Sequence, residues 1–447
     1  MFHRHGKKTK ASNAKALSAL TRVVQASNLL AEDKRATLLQ QIKDSCALEE
    51  GRLGSLCISL IHNFVNHCQS LPETSNSFYS QQGGFLDHAL NRTEAALALF
   101  KGYLLRENQD QISEEQKLWQ YALFSAAILQ GIGKLQTDFD IELYDSHGHF
   151  LKKWNPLLEN LASNASHYRY EFLKESDEGF RHRLNLLLAR LLMPTSGFAW
   201  IASNSQVLAV WLALLNEDNY AAGTLGAILI HADAIAIQRY FNQMMVRGYG
   251  SRGSRYGRVS TFAGGVPESV AEIEQQVGVE FIQWIGKSLN EGRIMINKAP
   301  LFMVPGGLLM SVEMFRLFVR EHPEYKNWQA VQNGFLSLGL HRTAADGNPS
   351  ARFEQASNQQ MHSGIVFSNY PVALPAQVSV HHLGTGKIST MSTTELIYQA
   401  QSNNNFIPQQ QQHSADALPH LNSSGQWQAV SSSTLQSSLK PGMINSV

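Results

Sequence analysis

The side chains best suited to contacting a nucleic acid are grouped in one glycine-rich segment, residues 246–268. Its arginines can pair with phosphates, and the tyrosines between them can stack on unpaired bases. Glycines among small polar residues predict a linker here rather than a helix. A solvated linker without any ligand is the alternative interpretation. The candidate DNA contacts of this Arg/Gly/Tyr linker are Arg247, Arg252, Arg255, Arg258, Tyr249 and Tyr256.

The overall composition restricts the classes of protein to which this chain can belong. The chain has 447 residues, which favours two or three domains, and 43% of them are hydrophobic. Its formal net charge is only +1, so a global polycation is excluded. The chain is therefore predicted to be globular with real cores, and any nucleic-acid surface must be a local patch.

Cysteine usage and hydropathy predict a cytoplasmic protein. Cys46, Cys57 and Cys68 are too few for a disulfide framework, and their spacing of eleven could place them on one helix face as small buried side chains. The basic N-terminus lacks the apolar stretch of a signal peptide. Pro194 and several polar residues interrupt the longest uncharged run, 191–216, so no membrane span is expected.

Apolar residues at three- and four-residue spacing predict a helical N-terminal half. Ser113 opens one of these helices with a start that resembles a capping box. The segment 138–156 instead predicts a small hairpin with His147 and Gly148 at its tip. The predicted helices cover 14–70, 85–105, 114–131, 158–175, 179–192, 204–216 and 220–245.

A different order of elements is predicted from about residue 269 onward. The order is a helix (269–291), two short strands (293–297 and 301–306), two helices (311–323 and 328–341) and two strands (363–370 and 377–383). This order is typical of a winged helix-turn-helix unit. Helix 328–341 is then the recognition-helix candidate, although such units also bind proteins. Its side chains that could reach base edges are Gln329, Gln332 and Asn333.

Several short motifs occur in an order that resembles a known family. They are LPETSNSFYSQQGGFLDHAL (71–90), AILQGIGK (127–134), the Trp-x-Pro of 154–156, and IHADAIAIQRY, which contains His231 and Asp233. In this order they resemble the TraI-type relaxase domain of MobH conjugation systems, an HD-hydrolase-like helical domain. The segments VEFIQWIGKSLNEGRIMIN, GGLLMSVEMFRLF and VQNGFLSLGLH resemble its C-terminal winged-helix domain. The resemblance covers about 70–390.

The resemblance implies a metal site in active members and a degenerate one here. In those members a His-His pair, a further His, a His-Asp pair and a later Asp hold one or two divalent ions that ionise a water. The matching ligand positions that remain are His88 and Asp233. The positions that have lost their ligands are Phe78, Tyr79, Gln130 and Gly131.

Loss of so many ligands should abolish tight metal binding, so no cofactor is expected. Mn, Fe or Mg is expected only if the chain is instead an active, divergent enzyme. Tyr79 as a nucleophile is a weaker alternative than Tyr79 as a packing residue. A metal site rebuilt from other histidines is also a weaker alternative, with the candidates His147, His149, His167, His182 and His231.

Together these interpretations predict a mainly α fold, in which an HD-like helical domain is followed by a smaller winged-helix α+β domain and a disordered tail. The predicted segments are 1–35 (basic segment and first helix), 36–245 (relaxase-like domain), 246–268 (linker), 269–395 (winged-helix-like domain) and 396–447 (Gln/Asn/Ser-rich tail). The predicted function is a catalytically degenerate accessory of bacterial conjugative transfer that binds DNA, transfer proteins or both. The alternatives are an active divergent relaxase or phosphohydrolase, and a pure protein scaffold of a secretion system.

Overall fold

The computed structural model describes residues 19–105, 112–173, 177–252, 270–343, 348–401, 405–409, 419–421 and 427–429. Helices dominate the N-terminal part of the chain, and most strands lie in the C-terminal part. A mainly helical fold with a β-rich C-terminal region is therefore confirmed.

The N-terminal part is built from packed helices. Among them, α5 begins with the predicted capping box, in which the side chains of Ser113 and Gln116 bond to each other's backbone N–H. A helical turn (Glu50–Arg52) and a π-helical segment (Leu53–Ile58) lead into α3. The helices are α1 (Ala26–Leu30), α2 (Asp33–Ser45), α3 (Ser59–Cys68), α4 (Gly84–Leu105), α5 (Glu114–Leu129), α6 (Lys134–Thr137), α7 (Glu178–Leu192), α8 (Thr195–Ala202), α9 (Ser205–Leu215) and α10 (Asn219–Arg252).

A four-stranded antiparallel sheet joins these helices, in the order β1-β4-β2-β3. Its strands are β1 (Thr21–Arg22), β2 (Phe139–Tyr144), β3 (Phe150–Lys153) and β4 (His167–Phe172). The hairpin predicted at 138–156 is confirmed, whereas the helix predicted at 158–175 is wrong. Tyr168 is fully buried in the core and Phe172 packs on Phe139 across β2, and alternating aromatic residues of this kind suit a half-buried strand.

Helix α10 belongs to two hydrophobic cores. Ile228, Leu229 and Ala232 pack into the core of the N-terminal helices. Ile237 and Phe241, one to three turns later, pack into the core of the C-terminal part. Asp233 therefore lies on α10 at the point where the two cores meet.

The C-terminal part combines helices with a five-stranded antiparallel sheet of order β11-β7-β8-β6-β5 and a separate hairpin, β9-β10. Its helices are α11 (Val270–Asn290), α12 (Val312–Glu321), α13 (Trp328–Ser337) and α14 (Thr393–Ala400). Its strands are β5 (Leu301–Val304), β6 (Gly307–Met310), β7 (Ser350–Gln355), β8 (Met361–Phe367), β9 (Gln377–His381), β10 (Ile388–Ser392) and β11 (Phe406–Pro408).

Two C-terminal predictions are wrong. Residues 293–297 form no strand, because Ile296 makes only a single bridge to Val380 and Asn297 has a φ of 63°, which breaks an extended run. The predicted start of the disordered tail at 396 is too early, because α14 packs on α10 and β11 adds an edge strand to the sheet. Pro419–Leu421 and Trp427–Ala429 also pair as β12 and β13, while the rest of the tail lies outside the described residues.

Four N-terminal and central predictions also need correction. The chain forms β1 at Thr21–Arg22 instead of the predicted helix, and α2 runs across the predicted boundary at residue 35. Helix α10 continues through Arg252, so the linker does not begin at 246. Cys46 follows the end of α2 and does not share a helix with the buried Cys57 and Cys68, although all three are free thiols.

One helix in the described part of the chain, Asn219–Val246 of α10, is long and apolar enough to cross a membrane. Half of the apolar window is buried inside the protein, and the core helix of a soluble protein has the same length and composition. Helices α7 and α8 would form a candidate span only as a pair bent by 118°. This is weak support for a membrane span.

Candidate functional site

Helices α4 and α10 bring His88 and Asp233 into contact. Nε2 of His88 lies 3.1 Å from Oδ1 of Asp233, and only 3% of the His88 surface is exposed. Glu73, in the loop before α4, lies on the other side of the imidazole, with Oε1 3.7 Å from Nδ1 of His88. The structure thus brings together the two residual ligand candidates and adds a buried carboxylate beside them.

Two cationic side chains complete this cluster. Arg92 lies one turn after His88 on the same face of α4, and its Nη1 donates to Oδ1 of Asp233 at 3.0 Å. Lys134, at the start of α6, forms an ion pair with Oε1 of Glu73. Each carboxylate therefore has its own cationic partner. We call this cluster the His88 centre, and its members are Glu73, His88, Arg92, Lys134 and Asp233.

The charges of the centre stabilise one another. Burial disfavours an ionised Glu73, but Lys134 and His88 lower the pKa of this carboxyl to about 2. Burial also opposes ionisation of Asp233, yet His88 and Arg92 hold its pKa well below the usual range. Burial alone would lower the pKa of His88, but the Asp233 carboxylate outweighs it and the pKa is raised. At neutral pH the centre thus contains two carboxylates matched by internal cations.

The loop before α4 places two aromatic rings against His88. The ring of Tyr79 stacks on the imidazole with centroids 4.6 Å apart, and Phe78 approaches it edge-on at 5.7 Å. The Tyr79 hydroxyl donates to the carbonyl of Ala236 at 2.8 Å, and burial raises its pKa. A Cβ on Gly84 would lie 1.9 Å from the Tyr79 carbonyl oxygen, so this close approach requires glycine. The Tyr79 ring thus lies buried between His88 and α10.

Gln130 and Gly131 follow directly after α5. The Gln130 carbonyl accepts a hydrogen bond from Nη2 of Arg92 at 3.0 Å. Its side-chain Oε1 is buried and has no hydrogen-bond partner among the described residues. Gly131 has a φ of 75°, in the left-handed region that favours glycine. These two positions therefore offer one neutral amide and no carboxylate.

The side chains that are present do not fit a catalytic divalent ion. An ion bound by His88 and Asp233 would meet the Arg92 guanidinium, which already contacts the same carboxylate oxygen. Two cationic groups in one buried space repel each other strongly. Glu73 is occupied by Lys134, and the Gln130 amide is a poor ligand. The carboxylates of Asp233 and Glu73 are therefore already engaged by cationic groups of the chain itself.

A cleft of about 370 Å³ lies between the helical part and the β-rich part, beside the His88 centre. Asp233 lines it, and 22% of that side chain is exposed. The centre therefore reaches the surface through this cleft. Other residues that line it include Gln130, Glu217, Asn219, Gly306, Ser368 and Asn369.

The structure describes only some of the predicted DNA contacts, and these lie on two different helices. Arg247, Tyr249 and Arg252 fall in the last turns of α10, where only the backbone is described, and Arg255, Tyr256 and Arg258 lie outside the described residues. On α13, Gln329 and Asn333 are exposed and Gln332 is half-buried. The backbones of α13 and α11 approach each other closely where glycines meet. A Cβ on Gly278 would lie 2.2 Å from the carbonyl oxygen of Gly334.

The other candidate histidines do not join the His88 centre in the described part of the chain. Nδ1 of His231 lies 3.0 Å from Oγ1 of Thr394, and burial lowers its pKa to about 4. Nε2 of His182 lies 3.4 Å from Oε2 of Glu217. His147 and His149 are at the exposed end of the β2–β3 hairpin, and His167 is on β4.

Sequence reasoning missed Glu73 and Arg92 as members of the centre and did not assign a partner to Lys134. Glu73 is part of the motif at 71–90, but only a folded loop shows that it points inward. Arg92 carried a signal that could have been used. It lies four residues after His88 in a helix rich in apolar residues, and a basic residue at such a position needs a buried partner.

Comparison with known families places the chain in conjugal transfer. Residues 20–255, more than half of the chain, match the TraI-type family described as "Putative helicase". The chain therefore belongs to this family. Residues 276–384 match the family described as "Putative conjugal transfer nickase/helicase TraI C-term". The chain is thus of the conjugal transfer nickase/helicase type. No curated protein matches it.

Proposed function

We propose that this protein is a catalytically degenerate, relaxase-like accessory of bacterial conjugative DNA transfer or of a mobile genetic element. The observation that carries the proposal is the 3.0 Å contact of Arg92 with Oδ1 of Asp233, the same oxygen that faces His88. The Arg92 guanidinium thus occupies the position beside Asp233 Oδ1 that a metal ion would need. Family membership supports the role in conjugal transfer.

We further propose that the scaffold is HD-like and of the MobH type. In support, His88 and Asp233, which the motif order assigns to one site, meet between α4 and α10. The C-terminal unit is proposed to be of the winged-helix type. The order α11, β5, β6, α12, α13, β7, β8 supports this assignment.

The proposed ligands are DNA, proteins of the transfer machinery, or both, in the bacterial cytoplasm. The arginines at the end of α10 and in the linker supply the charge that phosphates require. ATP hydrolysis is not part of the proposal. The phosphate-loop pattern needs a glycine five residues before the glycine of a Gly-Lys pair. The four Gly-Lys pairs of the sequence, at residues 6, 133, 286 and 386, have Met1, Ile128, Phe281 and His381 at that place.

Metal analysis and a nicking assay test this proposal together. The full chain is expressed in medium supplemented with manganese and iron, and bound metal is counted by mass spectrometry. We expect no equivalent of Mn or Fe that depends on the His88 centre, and no nicking of a supercoiled plasmid that carries the element's transfer origin. His382→Ala is a matched control, because His382 is exposed and remote in sequence.

One equivalent of Mn or Fe that is lost in the His88→Ala/Asp233→Ala variant, together with nicking, would show an active divergent enzyme instead. The cleft beside Asp233 and Gln130 is the observation that favours this second candidate. No binding of single- or double-stranded DNA at low salt would favour the third possibility, a protein scaffold, because low salt strengthens phosphate contacts.

A further inference from the structure

The turn of the β2–β3 hairpin holds three potential metal ligands in a fixed arrangement. Oδ1 of Asp145 accepts hydrogen bonds from the backbone N–H groups of His147 at 2.8 Å and His149 at 2.9 Å. The Asp145 N–H donates to the His149 carbonyl at 3.0 Å and so closes the turn. Gly148, at the tip, has a φ of 84°, which lets the chain reverse between the two histidines. One oxygen of Asp145 therefore shapes the turn.

The second oxygen of Asp145 faces both imidazoles. Oδ2 lies 3.0 Å from Nδ1 of His149 and 3.8 Å from Nδ1 of His147. The three ligand atoms all lie within 4.8 Å of one another. In a tetrahedral zinc site with bonds of about 2.0 to 2.1 Å, two ligand atoms are separated by about 3.3 Å. The distances from Oδ2 to the two imidazole nitrogens lie on either side of that value, so side-chain rotations can bring the three atoms onto one ion.

We propose that Asp145, His147 and His149 form a binding site for a borderline divalent transition-metal ion such as Zn²⁺. A set of two imidazole nitrogens and one carboxylate oxygen binds such ions in preference to Mg²⁺ or Ca²⁺. Both imidazoles are about three-quarters exposed, so an ion can reach them without unfolding. Three protein ligands leave at least one position open for water or for a fourth ligand from another molecule.

Two further observations support an organised site. Two backbone N–H groups of the turn hold Oδ1 of Asp145 in place, so Oδ2 keeps its direction toward the imidazoles. The ring of His167, on the neighbouring strand β4, has Nδ1 3.3 Å from the carbonyl oxygen of Asp145 and supports the turn from the side. The site shares no residue with the His88 centre, so its fate is independent of the function proposed above.

Calorimetric titration of the full chain with ZnCl₂, after removal of bound metal by a chelator, tests the site. We expect one equivalent of Zn²⁺ to disappear in the His147→Ala/His149→Ala variant. The sharper variant is Asp145→Asn, whose amide oxygen can still accept the two backbone hydrogen bonds of the turn but whose nitrogen cannot bind a metal. Since loss of even an outer-sphere partner weakens metal binding 10- to 100-fold, we expect at least a roughly tenfold loss of affinity.

The control variant is His382→Ala. His382 lies in the turn of the β9–β10 hairpin, and its Nε2 contacts Oγ of Ser389. This variant should bind Zn²⁺ as the unmodified chain does. Circular dichroism verifies that each variant is folded. Absence of zinc binding by the unmodified chain would overturn the proposal. An unchanged number of sites and affinity in both the double variant and Asp145→Asn would overturn it as well, since other histidines would then account for the bound metal.

Discussion

Arg92 and Asp233 form an ion pair that ties α4 to α10, with Nη1 of Arg92 3.0 Å from Oδ1 of Asp233. Only 6% of the Arg92 side chain is exposed, and its Nε also donates to the Ala127 carbonyl at the end of α5 at 2.9 Å. One guanidinium thus connects three helices at the place where the resemblance implies a metal ion. The charge that holds these helices together is supplied by the chain itself and does not depend on the supply of metal.

Arg92→Ala should be strongly destabilising. It leaves the half-buried Asp233 carboxylate with His88 as its remaining partner, and removing one partner of a fully buried pair costs about 3 to 5 kcal/mol of unfolding free energy, so a loss of up to that size is expected. Urea unfolding followed by circular dichroism measures the change. Arg169→Ala is the matched control, because Arg169 pairs with Glu142 at the surface and such pairs contribute about 1 kcal/mol or less. Equal losses in the two variants would contradict a special role for Arg92.

Restoring the missing ligands should recover metal binding only after Arg92 is removed. Gln130→His/Gly131→Asp rebuilds a His-Asp pair next to His88 and Asp233, but the guanidinium still repels a divalent ion there. Adding Arg92→Val to these two changes should yield close to one equivalent of Mn or Fe by mass spectrometry. Stoichiometric metal in the double variant, with Arg92 intact, would show that Arg92 is no barrier.

Glu73 should make stability depend on acidic pH. Its pKa is lowered from 4.5 to about 2 in the folded protein. A carboxyl group with a depressed folded pKa stabilises the fold above its unfolded pKa, and this contribution is lost as the pH falls through the folded value. Unfolding free energy should therefore decrease between pH 4.5 and 2, and Glu73→Gln should flatten this dependence. Urea midpoints at about pH 5 and about pH 3 measure it, and parallel pH dependences in both proteins would refute the assignment.

Two substitutions at Tyr79 separate packing from chemistry. Tyr79→Phe removes only the hydrogen bond to Ala236 and should cost about 1 kcal/mol, whereas Tyr79→Ala also removes the ring stacked on His88 and should cost about 3 to 5 kcal/mol. Denaturant unfolding of both variants gives these values. If Tyr79→Phe instead abolished a DNA-cleaving activity while the fold stayed stable, Tyr79 would have to be a nucleophile.

The arginines around the end of α10 should dominate DNA affinity. Replacing Arg247, Arg252, Arg255 and Arg258 by alanine should weaken binding of a labelled single strand. The slope of the logarithm of the binding constant against the logarithm of the salt concentration should also become shallower, by up to about 0.7 for each phosphate that the variant no longer neutralises. Fluorescence anisotropy over a range of salt concentrations measures both. Arg316→Ala/Arg320→Ala, on the exposed side of α12, is the control. A salt dependence that is the same in all three proteins would exclude these arginines as phosphate ligands.

Periodicity and caps were enough to predict the long helices. The helix after Ser113 begins with the predicted capping box, and the helix that carries His88 was predicted within one residue of its observed start. The pairing of His88 with Asp233 was also predictable, because motif order assigned both residues to one site.

The remaining members of the centre could not be predicted, since they depend on tertiary contacts. Glu73 lies in an irregular loop whose inward direction is fixed by its neighbours. Its N–H donates to the Tyr79 carbonyl at 2.9 Å, and the same loop is held from the far side by a hydrogen bond from Ser77 to the carbonyl of Leu338. Strand β4 was missed for a similar reason, because the burial of Tyr168 against helices selects a strand over a weak helical pattern.

The shared use of α10 determines how the chain can be divided for experiments. The two family matches end at 255 and begin at 276, which suggests a cut between them. Such a cut leaves Ile237, Phe241 and Met245 on the N-terminal fragment without the apolar partners that cover them in the intact chain. That fragment would expose a continuous apolar stripe and would tend to aggregate. Because α10 belongs to both hydrophobic cores, experiments should use the full chain or co-express the two halves.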